Sequence, residues 1–168
     1  MRSLSLAFTA AAVSAVAAPA LAGDLSVSVE IPRQSVATYH RPYVALWIER
    51  PDQTAVRTLA VWYEVSNVTE GRDWLKDMRT WWRRSGRALT LPADGISSAT
   101  KAPGRHAVTV PGSRLAGLAA GDYVLVVEAA REQGGRESVR VPFRWGSANT
   151  ARATGSTELG AVSVTVTR

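Results

Sequence analysis

Side chains that could act as nucleophiles, general bases or metal ligands are few in this chain, and they stand apart from one another. The sequence has 2 histidines and no cysteine, which excludes thiol chemistry, iron–sulfur clusters and covalent c-type haem attachment. A serine hydrolase would need a nucleophile elbow with a histidine and an acid, and neither His40 nor His106 stands in such a frame. Asp73 and Asp77 lie one helical turn apart, but their basic neighbours favour an ion-paired helix face over a zinc site. The sequence therefore predicts no catalytic constellation and no metal site.

One segment places small hydroxyl-bearing residues in a distinctive order. Asp94-Gly95 is a turn signal, and the run from Ser97 to Thr100 that follows is small and polar. Taken by themselves, these residues favour an ordinary surface loop. They lie, however, in a connection spanning residues 87–105 in which we predict no strand or helix, and connections of that length in compact domains are frequently functional.

On both sides of this connection, alternating apolar and polar residues predict β-strands. Residues 51–54 and 133–136 have the composition of hairpin turns, the second of a primed type with positive φ at Gly134 and Gly135. Pro142 lacks an amide donor and predicts an edge strand or a bulge. About seven short strands with turn signals between them indicate an all-β, immunoglobulin-like antiparallel sandwich. The predicted strands are residues 25–31, 43–48, 56–65, 106–110, 123–129, 139–145 and 162–166.

Between residues 73 and 84 the apolar spacing changes to that of a helix. We predict one amphipathic helix, capped at its start by Asp73 and ended by Gly86. Basic residues crowd its last turn, where they suit the helix dipole. The predicted apolar face consists of Trp74, Leu75, Met78, Trp81 and Trp82.

The beginning of the chain has the pattern of a secretory signal peptide. Arg2 precedes an alanine-rich stretch without charge until Asp24, and residues 20–22 form a small-x-small cleavage site. We predict that residues 1–22 are removed and that residues 23–168 form a single domain, with an uncleaved anchor helix as the alternative. The formal net charge is +6. In an exported protein, this charge favours an acidic partner, a membrane surface or a phosphate-bearing ligand over nucleic acid.

The segment from Asp94 to Thr100 resembles the acceptor motif of proteins that receive covalent FMN from a periplasmic flavin transferase. That motif reads Asp, two free positions, Ser or Thr, Gly, Ala, then Thr or Ser. Its last hydroxyl carries FMN through a phosphoester bond, and this role falls on Thr100. Asp94, Ser97 and Ala99 match the other fixed positions, whereas Ser98 stands where the motif has glycine. If the backbone there required positive φ, serine would cost on the order of 1 kcal/mol and weaken recognition by the transferase.

The resemblance also implies surroundings for the cofactor. The small residues beside Thr100 leave room for the active site of the transferase, where a metal ion activates the hydroxyl. The phosphoester keeps a negative charge, which basic residues nearby in the sequence are expected to meet. Trp81 and Trp82 could stack on the isoalloxazine ring, although their helical spacing favours a place in the core. The expected basic residues are Lys101, Arg105, Arg83 and Arg84.

A second resemblance covers nearly the whole exported chain. It is to predicted periplasmic proteins of domain-of-unknown-function family 2271. Members are commonly associated with PepSY-type membrane proteins and periplasmic flavin transferases, which implies electron transfer outside the cytosol. The stretches that carry the resemblance are residues 39–45, 74–77, 81–86, 102–105, 120–123 and 128–132.

Two functional hypotheses follow. In the first, the chain is a redox carrier whose FMN at Thr100 exchanges electrons with a PepSY-type membrane partner, the cofactor supplying the chemistry. In the second, it is a non-redox binding module that docks a protein partner or an anionic ligand. A turnover enzyme is less favoured than either, because no acid–base pair is recognisable. Both hypotheses expect no nucleic acid partner and at most peripheral contact with a membrane.

Overall fold

The computed structural model describes residues 23–167, so the predicted signal peptide, residues 1–22, lies outside the described residues. Nine strands form two sheets, and two short α-helices follow the third strand. The elements are β1 (Leu25–Ile31), β2 (Tyr43–Glu49), β3 (Ala55–Tyr63), α1 (Val68–Asp73), α2 (Arg79–Arg84), β4 (Ser97–Ala99), β5 (Gly104–Val110), β6 (Gly121–Ala130), β7 (Arg136–Trp145), β8 (Asn149–Thr154) and β9 (Ala161–Val166).

The predicted all-β sandwich is confirmed. One sheet has the order β5-β1-β9-β8 and the other β4-β3-β2-β6-β7. Every pairing is antiparallel except that of β4 with β3, which is parallel. Two strands more than predicted are present. In β8 the inward residues are only Ala151 and Ala153, and β4 is three residues long, so neither shows the alternation of strongly apolar residues by which a strand is recognised.

The main core lies between the two sheets. In β1 the four apolar residues are buried and alternate with partly exposed polar ones, as the period of two requires. They pack against inward residues of the second sheet, among them Leu46, Trp62 and Leu125. Burying each of these side chains contributes about 1.5–3 kcal/mol to the stability of the fold.

A second core covers the outer face of the five-stranded sheet. There Ala45, Trp47, Val61 and Val126 lie beneath side chains of the helical segment and the connection after it. The nearly continuous apolar run of β2 is explained by this arrangement, because β2 lies between β3 and β6 with both faces covered. The covering side chains are Leu75, Met78, Trp81 and Leu91.

The prediction of one continuous helix over residues 73–84 is wrong. A 3-10 turn, Trp74–Asp77, separates α1 from α2, and Met78 has non-helical dihedral angles (φ −76°, ψ 70°). Asp73 is the last residue of α1 and makes no capping hydrogen bond, whereas the side chain of Asn67 caps α1 by accepting from the amide of Glu70. Because of this interruption, Trp74 does not lie on the apolar face, and its side chain is exposed.

Gly86 ends the helical pattern for a different reason from the one predicted. It is buried at the start of a further 3-10 turn, Gly86–Ala88, and an added Cβ would lie 2.7 Å from the ring of Trp81. The residue therefore permits close packing of the backbone against an indole, and the left-handed conformation of a glycine cap is not used there.

One predicted hairpin turn is confirmed and one is wrong in type. Residues 51–54 join β2 to β3, with Asp52 accepting from the amide of Thr54 at 2.9 Å. Between β6 and β7 the positive φ, 52°, belongs to Gln133 and to neither Gly134 nor Gly135. A Cβ at position 134 would overlap the guanidinium of Arg131, so Gly134 leaves room for that side chain. The expected position of Pro142 is confirmed, since β7 is an edge strand.

Candidate functional site

The motif-like segment does not form a free loop, because most of it is hydrogen-bonded to the edge of the five-stranded sheet. Asp94 and Gly95 are exposed in a turn, and Gly95 has the left-handed φ of 69° that such a turn requires. The strand β4 then runs parallel to β3, with Ser97 opposite Val61 and Ser98 opposite Trp62. The predicted connection without secondary structure over residues 87–105 thus contains a short strand.

Side-chain contacts fix this turn and strand in place. The hydroxyl of Ser97 accepts from the amide of Ala93 at 3.0 Å, and the amide of Ser97 donates to the carbonyl of Ala93 at 2.9 Å. Arg114 donates to the carbonyl of Gly95 at 2.7 Å and to that of Leu59 at 3.1 Å, which joins the turn to β3. No sequence signal marked Arg114, because its partners are backbone carbonyls distant in sequence.

Ser98 is accommodated without backbone strain. It is in an extended strand, and the positive φ values of non-glycine residues in the described part of the chain belong to Gln53 and Gln133. The penalty that serine would incur at a left-handed position therefore does not arise at Ser98.

Thr100 follows β4 and is half-buried on the wall of a cavity of about 800 Å³, here called the groove. The groove lies at the end of the sheet where β2 begins and β6 ends. Three aromatic side chains contribute to its wall, namely Tyr39, Tyr43 and Trp74. Ligand clefts in proteins commonly have volumes of about 300–1,000 Å³, so the groove has room for a nucleotide-sized molecule.

Trp74 is the exposed indole of this groove, with 50% of its surface accessible. Trp81 takes the core position that its helical spacing favours: it is fully buried, and its indole donates to the hydroxyl of Thr58 at 3.1 Å. Trp82 is half-buried beside a different cavity. Neither residue lines the groove, and the break between α1 and α2 brings Trp74 to it instead.

Charges of both signs line the groove. Arg41, Arg131 and His40 contribute the basic groups, and His40 Nδ1 lies 3.3 Å from a carboxylate oxygen of Glu132. Arg131 is held by a bidentate ion pair with Glu158, at 2.8 and 3.0 Å. The acidic side chains of the lining are Glu64, Glu70, Asp77 and Glu132.

Two polar atoms of the lining residues are buried without a hydrogen-bond partner among the described residues. They are the hydroxyl oxygen of Tyr39 and Nε2 of His40. Burial raises the pKa of Tyr39, although the guanidinium of Arg131 opposes the increase. Burial also raises the pKa of Tyr43. Both phenols therefore remain protonated at neutral pH and are able to donate hydrogen bonds.

The structure separates the basic residues that were expected around Thr100. Arg84 contacts Glu49 and Gln53 at the far end of β2, which is about 20 Å from the groove at 3.3 Å per strand residue. Arg83 donates to the carbonyl of Arg79 in its own helix. Neither is placed to meet a group on Thr100, because α2 runs away from the groove.

The other two expected basic residues are close to Thr100 in sequence and have partners of their own. The ammonium of Lys101 lies 5.7 Å from the centre of the Trp62 ring, within the range of a cation–π contact. Arg105 lies 3.8 Å from a carboxylate oxygen of Glu30, and both side chains are exposed. Lys101 therefore has a fixed position next to Thr100, with its charge still available to solvent.

Among residues 23–167, no three His, Cys, Asp or Glu side chains are grouped closely enough to hold a metal ion. No helix in the same range has the length and apolar character needed to cross a membrane.

Comparison with known proteins identifies a family. Residues 24–161 match the family of predicted periplasmic proteins with domain of unknown function DUF2271. Neither the curated proteins nor the solved structures include a significant match to this chain. The match covers most of the chain and most of both sheets, and the family description agrees with the periplasmic location expected from the leader pattern. The chain belongs to the DUF2271 family of predicted periplasmic proteins.

Proposed function

We propose that this periplasmic protein is an electron carrier with FMN attached to Thr100 through a phosphoester. The observation that carries the proposal is the position of Thr100. Its segment matches the flavin-acceptor motif at every fixed position except Ser98, and it borders a groove of about 800 Å³. A threonine in an ordinary surface loop would have no such cavity beside it.

The lining residues suit a flavin in three respects. Trp74 offers an exposed indole face for stacking on a flat ring system. The phenols of Tyr39 and Tyr43 are neutral donors for the oxygen and nitrogen atoms of the ring edge. Lys101 and Arg41 supply positive charge near the tether, one adjacent in sequence and one on the groove wall.

The attachment reaction requires FAD and a flavin transferase. The Oγ1 atom of Thr100 attacks the FMN-side phosphorus of FAD, the pyrophosphate bond breaks, and AMP leaves. The hydroxyl proton passes to a base of the transferase, so the product is a phosphodiester with one negative charge. For this reaction Thr100 must enter the active site of the enzyme, and the small side chains of Ser97, Ser98 and Ala99 keep the approach open.

Bound FMN would supply reversible electron transfer. The chain would then have three tasks: fixing the cofactor at Thr100, orienting its ring against Trp74, and limiting access of water through the groove walls. From the family resemblance, we propose a PepSY-type membrane protein as the electron-transfer partner and a periplasmic flavin transferase as the modifying enzyme.

Intact-mass analysis tests the attachment. The chain is co-expressed in a bacterial periplasm with a flavin transferase and compared with two variants, Thr100→Ala and Thr90→Ala. Thr90 is a matched control because it is an exposed threonine in the same connection but outside the motif. We expect an FMN adduct in the wild type and in Thr90→Ala, and none in Thr100→Ala.

An adduct that persists in Thr100→Ala would overturn the assignment of the residue. No adduct in any chain, despite a transferase that modifies a known acceptor in the same cells, would overturn the electron-carrier proposal. The latter result would favour the alternative, a non-redox module whose groove binds a protein or an anionic ligand without a covalent bond.

A further inference from the structure

Residues 72–77 separate the groove from a second cavity of about 400 Å³, here called the basic hollow. Trp74 and Asp77 line the groove, whereas Arg72 and Lys76 line the hollow. Asp73 is the acidic residue of the hollow. The apolar part of its wall comes from Leu75, Trp82, Leu89 and Leu91. The hollow therefore combines two basic side chains and one acidic side chain with a wall that is partly apolar.

The positive charge of the hollow continues along the helical segment. Arg79 and Arg83 are one turn apart on α2 and exposed, and Arg87 is exposed in the 3-10 turn that follows. Within residues 23–167, none of these three arginines, nor Arg72 or Lys76, has an acidic side chain within ion-pair distance.

Several arginines in the strands and turns, unlike those of the helical segment, are ion-paired. Arg131, Arg136, Arg140 and Arg144 each pair with a carboxylate in the described part of the chain. The arginines of the helical segment other than Arg84 thus carry charge that the fold itself does not neutralise. A surface with this much uncompensated charge is suited to a polyanionic partner.

We propose that the basic hollow and the arginines of α2 dock this protein onto a bilayer containing anionic phospholipid. Four of the five basic residues are arginines, whose planar guanidinium groups bind phosphate or carboxylate oxygens in pairs and so suit either class of anion. A lipid surface is favoured over an acidic protein because half-buried Trp82 and Leu89 border the basic residues, and such amphipathic and apolar side chains suit the interface between headgroups and acyl chains.

Docking in this orientation has a geometric consequence for the groove. The segment 72–77 lies between the two cavities and contributes side chains to each, so a bilayer at the hollow places the groove close to the membrane surface. The inference does not depend on modification of Thr100, since every residue involved lies outside the acceptor segment. The two proposals can therefore fail independently.

Vesicle co-sedimentation tests the docking surface with the exported chain purified from a periplasm without a flavin transferase. The vesicles contain either phosphatidylglycerol with phosphatidylethanolamine or phosphatidylcholine alone. One variant carries Arg79→Glu, Arg83→Glu and Arg87→Glu, and a second carries Arg72→Glu and Lys76→Glu. A control carries three charge reversals at exposed arginines outside the helical segment: Arg33→Glu, Arg105→Glu and Arg152→Glu.

We expect the wild type to bind the anionic vesicles, to dissociate from them as the salt concentration is raised, and not to bind vesicles of phosphatidylcholine alone. Each basic residue removed from the surface should lower the partition coefficient on the order of fivefold, the equivalent of about 1 kcal/mol per residue near an anionic bilayer. Both helical-segment variants should lose binding, while the control retains most of it. Circular dichroism confirms that each variant is folded.

Three results would overturn the proposal. Equal binding to neutral vesicles would show that charge is not the determinant. Equal loss in the control and in the triple variant of α2 would show that net charge, rather than this surface, is responsible. Binding of the chain to an immobilised acidic peptide but not to anionic vesicles would reassign the surface to a protein partner.

Discussion

Glu128 on β6 accepts a hydrogen bond at 2.8 Å from the backbone amide of Trp81, in the first turn of α2. Its other carboxylate oxygen accepts from the amide of Thr80 at 3.1 Å and from Arg136 at 2.9 Å. The side chain is 0% exposed. A buried carboxylate of the sheet thus caps α2, in place of a capping side chain from the helix itself.

The variant Glu128→Ala should lower the free energy of unfolding by about 3 kcal/mol, because it leaves two helix amides and one arginine without their acceptor. A matched control is Glu132→Ala, whose side chain is 62% exposed, where the expected loss is under about 1 kcal/mol. Urea denaturation followed by tryptophan fluorescence measures both. Similar values for the two variants would contradict the capping role.

The turn between β8 and β9 is predicted to depend on pH through Glu137. Burial by itself raises the pKa of Glu137, but the amides of Leu159, Ser156 and Thr157 and the hydroxyl of Ser156 outweigh it and lower the pKa to about 2. Since the folded-state pKa is below the unfolded value, this stabilisation is complete above about pH 4.5 and is lost as pH falls toward 2.

The variant Glu137→Gln should therefore be less stable than wild type at pH 7, by on the order of 3 kcal/mol, and the difference should shrink at pH 2.5. Urea denaturation at the two pH values measures it. Glu70→Gln is the control, as Glu70 is an exposed carboxylate. A difference that is constant across this pH range would show that the hydrogen bonds of the turn do not depend on the charge.

Ser98→Gly restores the glycine of the acceptor motif and tests what limits modification. Because Ser98 lies in β4 with no positive φ, glycine should lower the free energy of unfolding by about 0.5–1 kcal/mol. The loss should also ease detachment of β4 from β3, so we expect a faster rise of the FMN adduct in co-expression time courses. Slower modification of Ser98→Gly than of wild type would contradict the idea that β4 must detach from β3 before Thr100 is modified.

Trp74→Ala should change the environment of an attached flavin but not the attachment. The indole is half-exposed, so its removal should lower stability by less than about 1 kcal/mol. In the modified protein we expect unchanged adduct mass, stronger flavin fluorescence and a shifted visible absorption band. Trp82→Phe, outside the groove, is the comparison. Unaltered flavin spectra in Trp74→Ala would place the ring elsewhere.

The local pattern of apolar and polar residues was sufficient to predict most strands of the sandwich. The alternation in β1 and the continuous apolar run of β2 report burial on one face and on two faces, and both elements are present where predicted. The pattern failed where burial is weak or contacts are distant. The inward alanines of β8 carry little signal, and β4 is defined mainly by its pairing with β3.

The candidate site was only partly accessible from the sequence, for a related reason. The chemistry of Thr100 could be read from its neighbours, but its cavity is assembled from segments around residues 40, 74 and 131. Trp74 was assigned to an apolar helix face on the assumption of one unbroken helix. The helix is broken at Met78, and α2 then begins with its amides bonded to the carboxylate of Glu128. Helical periodicity does not encode such a tertiary contact.

The edge strand β7 has a further consequence for the behaviour of the protein in a crowded envelope. Its outer face carries Arg136, Arg140 and Arg144, and Pro142 removes an amide from the same strand. A foreign strand that extended the sheet there would meet long, ion-paired arginine side chains and a missing amide donor, so fibril-like growth from this side is disfavoured.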